Sequence, residues 1–467
     1  MDSAAPQHAP GTPTGAPPFT EEIGATLRLT LPLAGGFLCH VGMGLTDTIL
    51  LGGLGRDALA AGGLAVAVFS TLTMVLQGFV AGIGILVAHA QGGRKPGDIP
   101  PVLRAGFLLA TLAAAPLMII LVWIEPLLLA IGEPPELARS VAAYDLILMF
   151  GVLPSLWLAA QRSYLTAMHR PRVVMVISIV ALLANGFLNY GLMHGVWGLP
   201  AMGYLGSATA TMLVLWGMFA ATTVFMGREG LTAAVSGPLK WPVVKELASL
   251  GWPIAGTYAV EIMLFTAGAL MMGVLGPASL AAHQVSISVA STTFMVPLSA
   301  AQAANVRVGY HMGAGHPIAA RQAGHAAFVL GVGFMAVMAV IMLVAPHQIA
   351  ALFNLDPGGR AVADVIDIVI PLLAISAAFQ VFDGAQAVAA GALRGLKDTR
   401  IPLVLAGFSY WGVGFPVAWI LGFPLGLGAS GIWWGLAVGL AVAAVTLGWR
   451  FERLSRRVIQ AARSHAA

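Results

Sequence analysis

The chain has 467 residues, of which 58% are hydrophobic and only 9% charged. This excludes an ordinary soluble domain and indicates a polytopic membrane protein. The formal net charge of +4 calls for no nucleic-acid partner, and the single cysteine, Cys39, excludes an intramolecular disulfide.

The opening MDSAAPQHAPGTPTGAPPFT is rich in Pro and Ala and lacks a basic segment followed by an apolar core. Residues 1–24 therefore read as a disordered cytoplasmic tail and not as a signal peptide. About twelve apolar windows of roughly 20 residues follow, each long enough to cross a bilayer as a helix. They begin near Leu27, Ala58, Val102, Val141, Val173, Gly203, Gly251, Leu280, Gly324, Asp367, Pro402 and Leu427. Long unbroken Leu/Ala/Val/Gly runs favour helices over a β-barrel, whose strands would be short and alternating.

The first window holds Asp47 in GMGLTDTILLGG, the seventh Glu261 in TYAVEIMLFTAG and the tenth Asp383 in AAFQVFDGAQAVAAG. An ionised acid at such a position costs at least about 2.5–3.5 kcal/mol, so acids retained there usually handle ions or protons. His40 precedes Asp47 by seven residues, on nearly the same face and about 10 Å along the axis at 1.5 Å per residue. It reads either as a proton relay or as a satisfied core residue. Asp57, Asp145, Asp364 and Asp367 read as solvated acids near outer helix ends.

In the fifth window Asn185 and Asn189 are i and i+4, on one helix face. Their amide oxygens are hard, neutral ligands suited to Na⁺ beside one carboxylate, or they hydrogen-bond neighbouring helices. The more polar MGREGLTAAVSGPLKWPVVKE marks a cytoplasmic linker, taken as 228–246. In the tenth window Gln380 and Gln386 flank Asp383 at i−3 and i+3 and make a polar patch. The end of the chain, 451–467, is a basic cytoplasmic tail of the kind that lies against anionic headgroups.

The chain repeats itself. Position n against n+221 matches Pro32 with Pro253, Gly35 with Gly256, Gly55 with Gly276 and Pro96 with Pro317. Six spans separate equivalent points, so the two copies keep the same orientation, related by an axis along the membrane normal. Residues 25–227 form an N-lobe and 247–450 a C-lobe, and their interface is the expected substrate site. Of 23 Lys and Arg residues, all but Arg56, Arg139 and Arg360 fall on one side of the twelve spans. The positive-inside rule makes that side, with both termini, cytoplasmic.

No G-x-x-x-x-G-K-[ST] loop and no Cys/His ligand cluster are present, so the chain does not read as an enzyme and no cofactor is expected. Ion gradients remain as the energy source, and the residues do not choose between Na⁺ and H⁺.

The matched LPLAGGF and GWPIAGTY, TDTILLGGLG, TYAVEIML, AAHQV at Ala281 to Val285 and GALRGLKDTRIP at Gly391 to Pro402 resemble the multidrug and toxic compound extrusion (MATE) family, in its NorM-like bacterial branch. The resemblance covers about positions 25 to 450. It implies an all-α membrane protein of twelve helices in two pseudo-symmetric six-helix lobes. Such a protein is a monomeric inner-membrane antiporter that expels small organic cations and drugs in exchange for Na⁺ or H⁺. It assigns Asp47, Glu261 and Asp383 as coupling acids, with Asn185, Asn189 and Ser207 completing an N-lobe ion site in which Asp47, Asn185 and Asn189 would bind Na⁺. Glu261, Asp383, Gln380, Gln386 and Phe379 are expected at the substrate cavity. Phe379 stands where relatives can carry Tyr, and Asn189 stands where the archaeal and DinF-like branch carries an acid. The alternative is a lipid-linked precursor flippase of the same superfold. Its polyanionic headgroup would want Arg or Lys inside the cavity, whereas every Lys and Arg falls at a predicted loop or helix end. A passive channel lacks any pore-loop signal here.

Overall fold

The computed structural model describes residues 18–228, 237–353 and 360–466. Most of the expected N-terminal tail, the centre of the linker and the side chain of Asp364 lie outside the described residues. Twelve long helices run through the rest. The first six are α1 Phe19–Gly53, α2 Arg56–Gly92, α3 Ile99–Val122, α4 Pro135–Ala167, α5 Pro171–His194 and α6 Leu205–Arg228. The second six are α7 Trp241–Leu275, α8 Pro277–Gly313, α9 Pro317–Val344, α10 Arg360–Gly395, α11 Arg400–Gly422 and α12 Gly428–Ala466. One-turn helices Ile124–Ala130 and Pro346–Ala351 follow α3 and α9. Eleven of the twelve are long and apolar enough to span a bilayer. The remaining one, α8, has the length of α2, but Gln284, Ser286, Ser288, Thr292, Thr293 and Asn305 lower its hydropathy. It is shielded by α2, α9 and α10, which lie against it, so its polar side chains need not face lipid.

The sequence repeat is visible in the backbone. Helices α2 and α8 begin and end at positions 221 apart, and each is entered through a glycine of nearly equal geometry. Gly55 has φ 113° and ψ 175°, Gly276 has φ 120° and ψ 169°. A β-carbon is strained at such φ, which accounts for glycine in both copies. The left-handed turn after α2 is at Arg94, φ 54°, and the equivalent turn after α8 is at Gly315, φ 76°. Pro96 then opens the 3-10 turn Pro96–Asp98 that leads into α3, and Pro317 opens α9, each at a position whose N–H would be unpaired anyway. Pro32 and Pro253 sit inside α1 and α7, both of which continue through them.

Each six-helix lobe has its own apolar core, around Ile83, Leu103, Leu148 and Leu156 in the first and Leu264, Leu372, Trp433 and Leu436 in the second. The lobes touch along a seam at the end of the bundle that carries most of the basic residues. There Gly92 lies on the Tyr310 carbonyl and Gly313 on the His89 carbonyl, a backbone-to-backbone approach that only glycine permits. Gly251 lies against Phe79, and deepest of all Gly78 lies against Ala255. The cross-lobe hydrogen bonds are at the same end. Glu22 of α1, 1% exposed, accepts from Nε and Nη2 of Arg307 of α8 at 2.7 and 2.5 Å, with His311 Nε2 at 3.3 Å. His89 Nε2 meets the Gly395 carbonyl at 2.9 Å. Among the described residues the cross-lobe hydrogen bonds, ion pairs and glycine contacts lie between the basic end and the Gly78–Ala255 level, so the lobes are joined at that end, and the region between them beyond that level is called the cleft.

The helices reach further than the apolar windows at both ends of the chain. Helix α1 starts at Phe19, inside the stretch expected to be a tail, because Glu22 is anchored by Arg307. Helix α12 runs to Ala466, through the stretch expected as a second tail. Phe451 is buried against Gly324, and Glu452 is held by Arg321 at 2.7 Å and by His325, which ties the helix to α9.

Candidate cation sites in the walls of the cleft

In the N-lobe, α1, α5 and α6 bring three side chains onto one carboxyl group. Asn189 Nδ2 donates to Asp47 Oδ1 at 2.5 Å and Thr211 Oγ1 donates to Oδ2 at 3.2 Å. Asn185, one turn before Asn189, also lies against the carboxylate. All of this is enclosed: Asp47 is 5% exposed, Asn185 1% and Asn189 0%. The Oδ1 atoms of both asparagines are buried without a hydrogen-bond partner. Buried acceptors are normally satisfied, and carboxylate and amide oxygens together are the ligands a hard cation takes.

Ser207, expected in this set, is fully buried and accepts the Tyr144 hydroxyl at 3.0 Å. The hydroxyl on Asp47 comes instead from Thr211, one turn further along α6. The run SATAT, residues 207–211, puts both hydroxyls on one helix face, so the sequence held the signal and the choice between them depended on the tilt of α6.

In the C-lobe, α7 and α10 present Glu261 and Asp383 to one amide. Gln386 Nε2 lies 3.2 Å from Glu261 Oε1 and 3.2 Å from Asp383 Oδ1. Asp383 and Gln386 are buried and Glu261 is half-buried. Glu261 lies six residues past Ala255 on α7, about 9 Å above the deepest seam contact at 1.5 Å per residue. The other two expected cavity residues point elsewhere. Gln380 accepts from Thr293 at 3.1 Å and donates to the Met335 carbonyl at 3.3 Å, facing α8 and α9. Phe379 is in the lobe core, edge-on to Trp433 and Phe265 at 5.2 and 6.0 Å between ring centroids.

Helix-end cations proved to have an inward component. Arg162 of α4 donates to Gln77 Oε1 at 3.0 Å and lies 5.0 Å from the Phe37 ring centre. Arg394 of α10 donates to the Tyr258 hydroxyl at 3.1 Å and lies over its ring. His40 is exposed, in electrostatic contact with Arg162, and has no hydrogen bond to Asp47 among the described residues. Asp145 is corrected outright. It is 0% exposed in α4, with neither oxygen hydrogen-bonded, because α4 is covered on several sides by α2, α3 and α6. Asp57 and Asp367 are exposed as expected.

The chain and its fold have matches among known proteins. The MatE family profile matches residues 32–191 and 253–420, one block in each lobe. The multidrug resistance protein NorM of Burkholderia vietnamiensis is 46% identical over 456 residues, which is 97% of this chain and 98% of that protein. A probable multidrug resistance protein NorM of Rhizobium meliloti is 39% identical over 440 residues, 93% and 94% of the two chains. Among solved structures, the eukaryotic MATE transporter AtDTX14 superposes with a TM-score of 0.84 at 21% identity, covering 95% of this chain and 99% of that one. The outward-facing conformation of a multidrug resistance MATE family transporter gives 0.83 at 18%, covering 94% and 97%. With both lobes matched and relatives similar from end to end, this chain belongs to the MatE family and has its all-α membrane fold.

Proposed function

We propose that the protein is a cation-coupled multidrug efflux antiporter that works by alternating access, with the basic end of the bundle and both termini in the cytoplasm. The observation that carries this reading is the pair of buried carboxylate sites, one in each lobe, beside a cleft closed at the basic end. Asp47 with the unpartnered Asn185 and Asn189 oxygens is the site for Na⁺ or H⁺. Glu261 and Asp383, sharing the Gln386 amide, receive the organic cation. One amide donor between them leaves both acids with most of their acceptor capacity free, so a cationic ligand gains both charges at once. The coupling ion must bind the two cleft orientations unequally, since only differential affinity moves such an equilibrium. An ion entering from outside resets the lobes toward the cytoplasm as the drug leaves.

The test is efflux of a fluorescent organic cation from proteoliposomes under an imposed Na⁺ gradient and, separately, an imposed pH gradient. Acceleration by either gradient supports antiport. Efflux indifferent to both, with substrate simply equilibrating, would overturn it.

A further inference from the structure

The floor of the cleft holds two guanidinium groups, one from each lobe. Tyr258 lies three residues past Ala255, about one helical turn above the deepest seam contact. Arg394 donates to its hydroxyl and stacks on its ring. Across the cleft, Arg162 is within electrostatic range of the same Tyr258, and its partner Gln77 adjoins Gly78, which packs on Ala255. Both arginines adjoin seam residues. Ser163 borders Gly84 opposite Asn305 of α8, and Gly395 receives the cross-lobe contact from His89. Neither arginine has a carboxylate within 4.0 Å among the described residues, whereas Arg307, Arg321 and Arg450 all do. Arg162 is held by neutral partners, Gln77 and Phe37. Arg394 has Tyr258 and, at electrostatic rather than contact range, Glu261.

Two half-buried guanidiniums held in place by neutral groups are positioned donors without an anion. A planar guanidinium offers paired N–H groups matched to a carboxylate. One turn above them along α7 stands Glu261, with Asp383 beyond it on α10. We propose that Arg162, Arg394 and the Tyr258 hydroxyl form an anion subsite at the cleft floor, which takes the carboxylate of a substrate whose cationic group is held by Glu261 and Asp383. Opposite charges set along one wall select molecules carrying both, and a substrate bound this way touches both lobes where they meet. The inference rests on the proposed function for its cationic half, but the anionic half stands on the arginines alone.

The experiment measures binding to the full-length protein in lipid nanodiscs with a matched pair of fluorescent xanthene dyes. One carries a free carboxylate and a cationic amine, and the other is its methyl ester, with only the cation. The readout is the ratio of the two dissociation constants. In the wild type the free-carboxylate dye binds more tightly, and benzoate displaces it better than inorganic phosphate does. Arg162→Gln and Arg394→Gln each reduce that preference about tenfold, the scale of one lost charge-assisted pair. Persisting ester binding shows that each variant is folded. Should either variant weaken both dyes equally, or leave the ratio unchanged, the arginines are structural and the proposal falls. Stronger displacement by phosphate than by benzoate also overturns it, in favour of free phosphate or a lipid headgroup. Glu261→Gln separates the two readings. It should weaken the ester and the zwitterion alike, and if it affects neither while the arginine variants shift the ratio, the anion subsite survives and the cationic half of the proposed function does not.

Discussion

At the level of single residues, the clearest division of labour is between two hydroxyls one turn apart on α6. Thr211 donates to Asp47, whereas Ser207 receives Tyr144. Thr211→Val should therefore lower the concentration of coupling ion needed for half-maximal efflux by about tenfold or more, since a donor to the ionised carboxylate stabilises the ion-free site by about 1.5–3 kcal/mol and competes with a bound cation. Ser207→Ala should leave that concentration nearly unchanged and lower thermal stability, because a buried phenol loses its acceptor at a cost of about 1–3 kcal/mol. Ion titration of efflux and thermal unfolding of the same two variants check the pair; the opposite pattern would restore Ser207 to the ion site. For Asp383→Asn the expectation is a sharp fall in efflux with expression intact. The neutral isostere keeps the size of a 5% exposed side chain and removes the charge that faces Gln386. Wild-type transport by that variant would remove Asp383 from the mechanism. The acids and asparagines were readable because polar residues stand out against an apolar helix. Thr211, Arg162 and Arg394 were not, since a threonine in a membrane helix commonly bonds its own backbone and an arginine near a helix end usually faces water. Asp145 misled for a related reason: distance along the chain from a helix end says nothing about how many helices surround it.

Among the helices, α1 is the one that crosses between lobes, belonging to the first by its position beside α5 while its opening turns lie on α8 and α9. Glu22 fixes that crossing. Replacing it by Gln removes the charge that two Arg307 bonds require and leaves a cation only 15% exposed without its anion. The cost is bounded by about 3–5 kcal/mol, the range for a fully buried pair, and falls below it because Arg307 keeps some solvent. Loss on that scale should populate an opened basic end. Spin labels at Lys95→Cys and His316→Cys, in a Cys39→Ala background, read it directly as a longer distance between the lobes. An unchanged distance distribution in Glu22→Gln would show that the glycine seam alone holds the lobes together. The helices themselves were legible from apolar length, and the turn glycines and prolines marked the repeat, because a left-handed φ or an unpaired N–H restricts residue choice locally. The ends of α1 and α12 were not legible. Both are set by ion pairs to helices distant in sequence, which no local pattern reports.

For the molecule as a whole, the two lobes share a backbone plan yet carry different chemistry: a nearly dry carboxylate–amide site in the first, and two acids bridged by one amide beside the cleft in the second. Under the proposed function one lobe serves the coupling ion and the other the substrate, and a change confined to the first should alter what drives transport more than what is transported. Asn189→Asp is such a change. Its Nδ2 lies 2.5 Å from Asp47 Oδ1, so the substitution sets two carboxyl groups side by side where a donor faced an acceptor. Like charges this close cannot both ionise readily, and one of the pair is pushed toward holding a proton near neutral pH. With a proton shared between them, the site loses an amide ligand and gains a titrating group. The variant should consequently depend more on a pH gradient and less on a sodium gradient than the parent. The measurement is the ratio of efflux rates under the two gradients in matched vesicles, with Asp47→Asn as the inactive reference. An unchanged ratio, with Asp47→Asn still inactive, would mean that Asn189 only braces Asp47 and that the coupling ion binds through other oxygens.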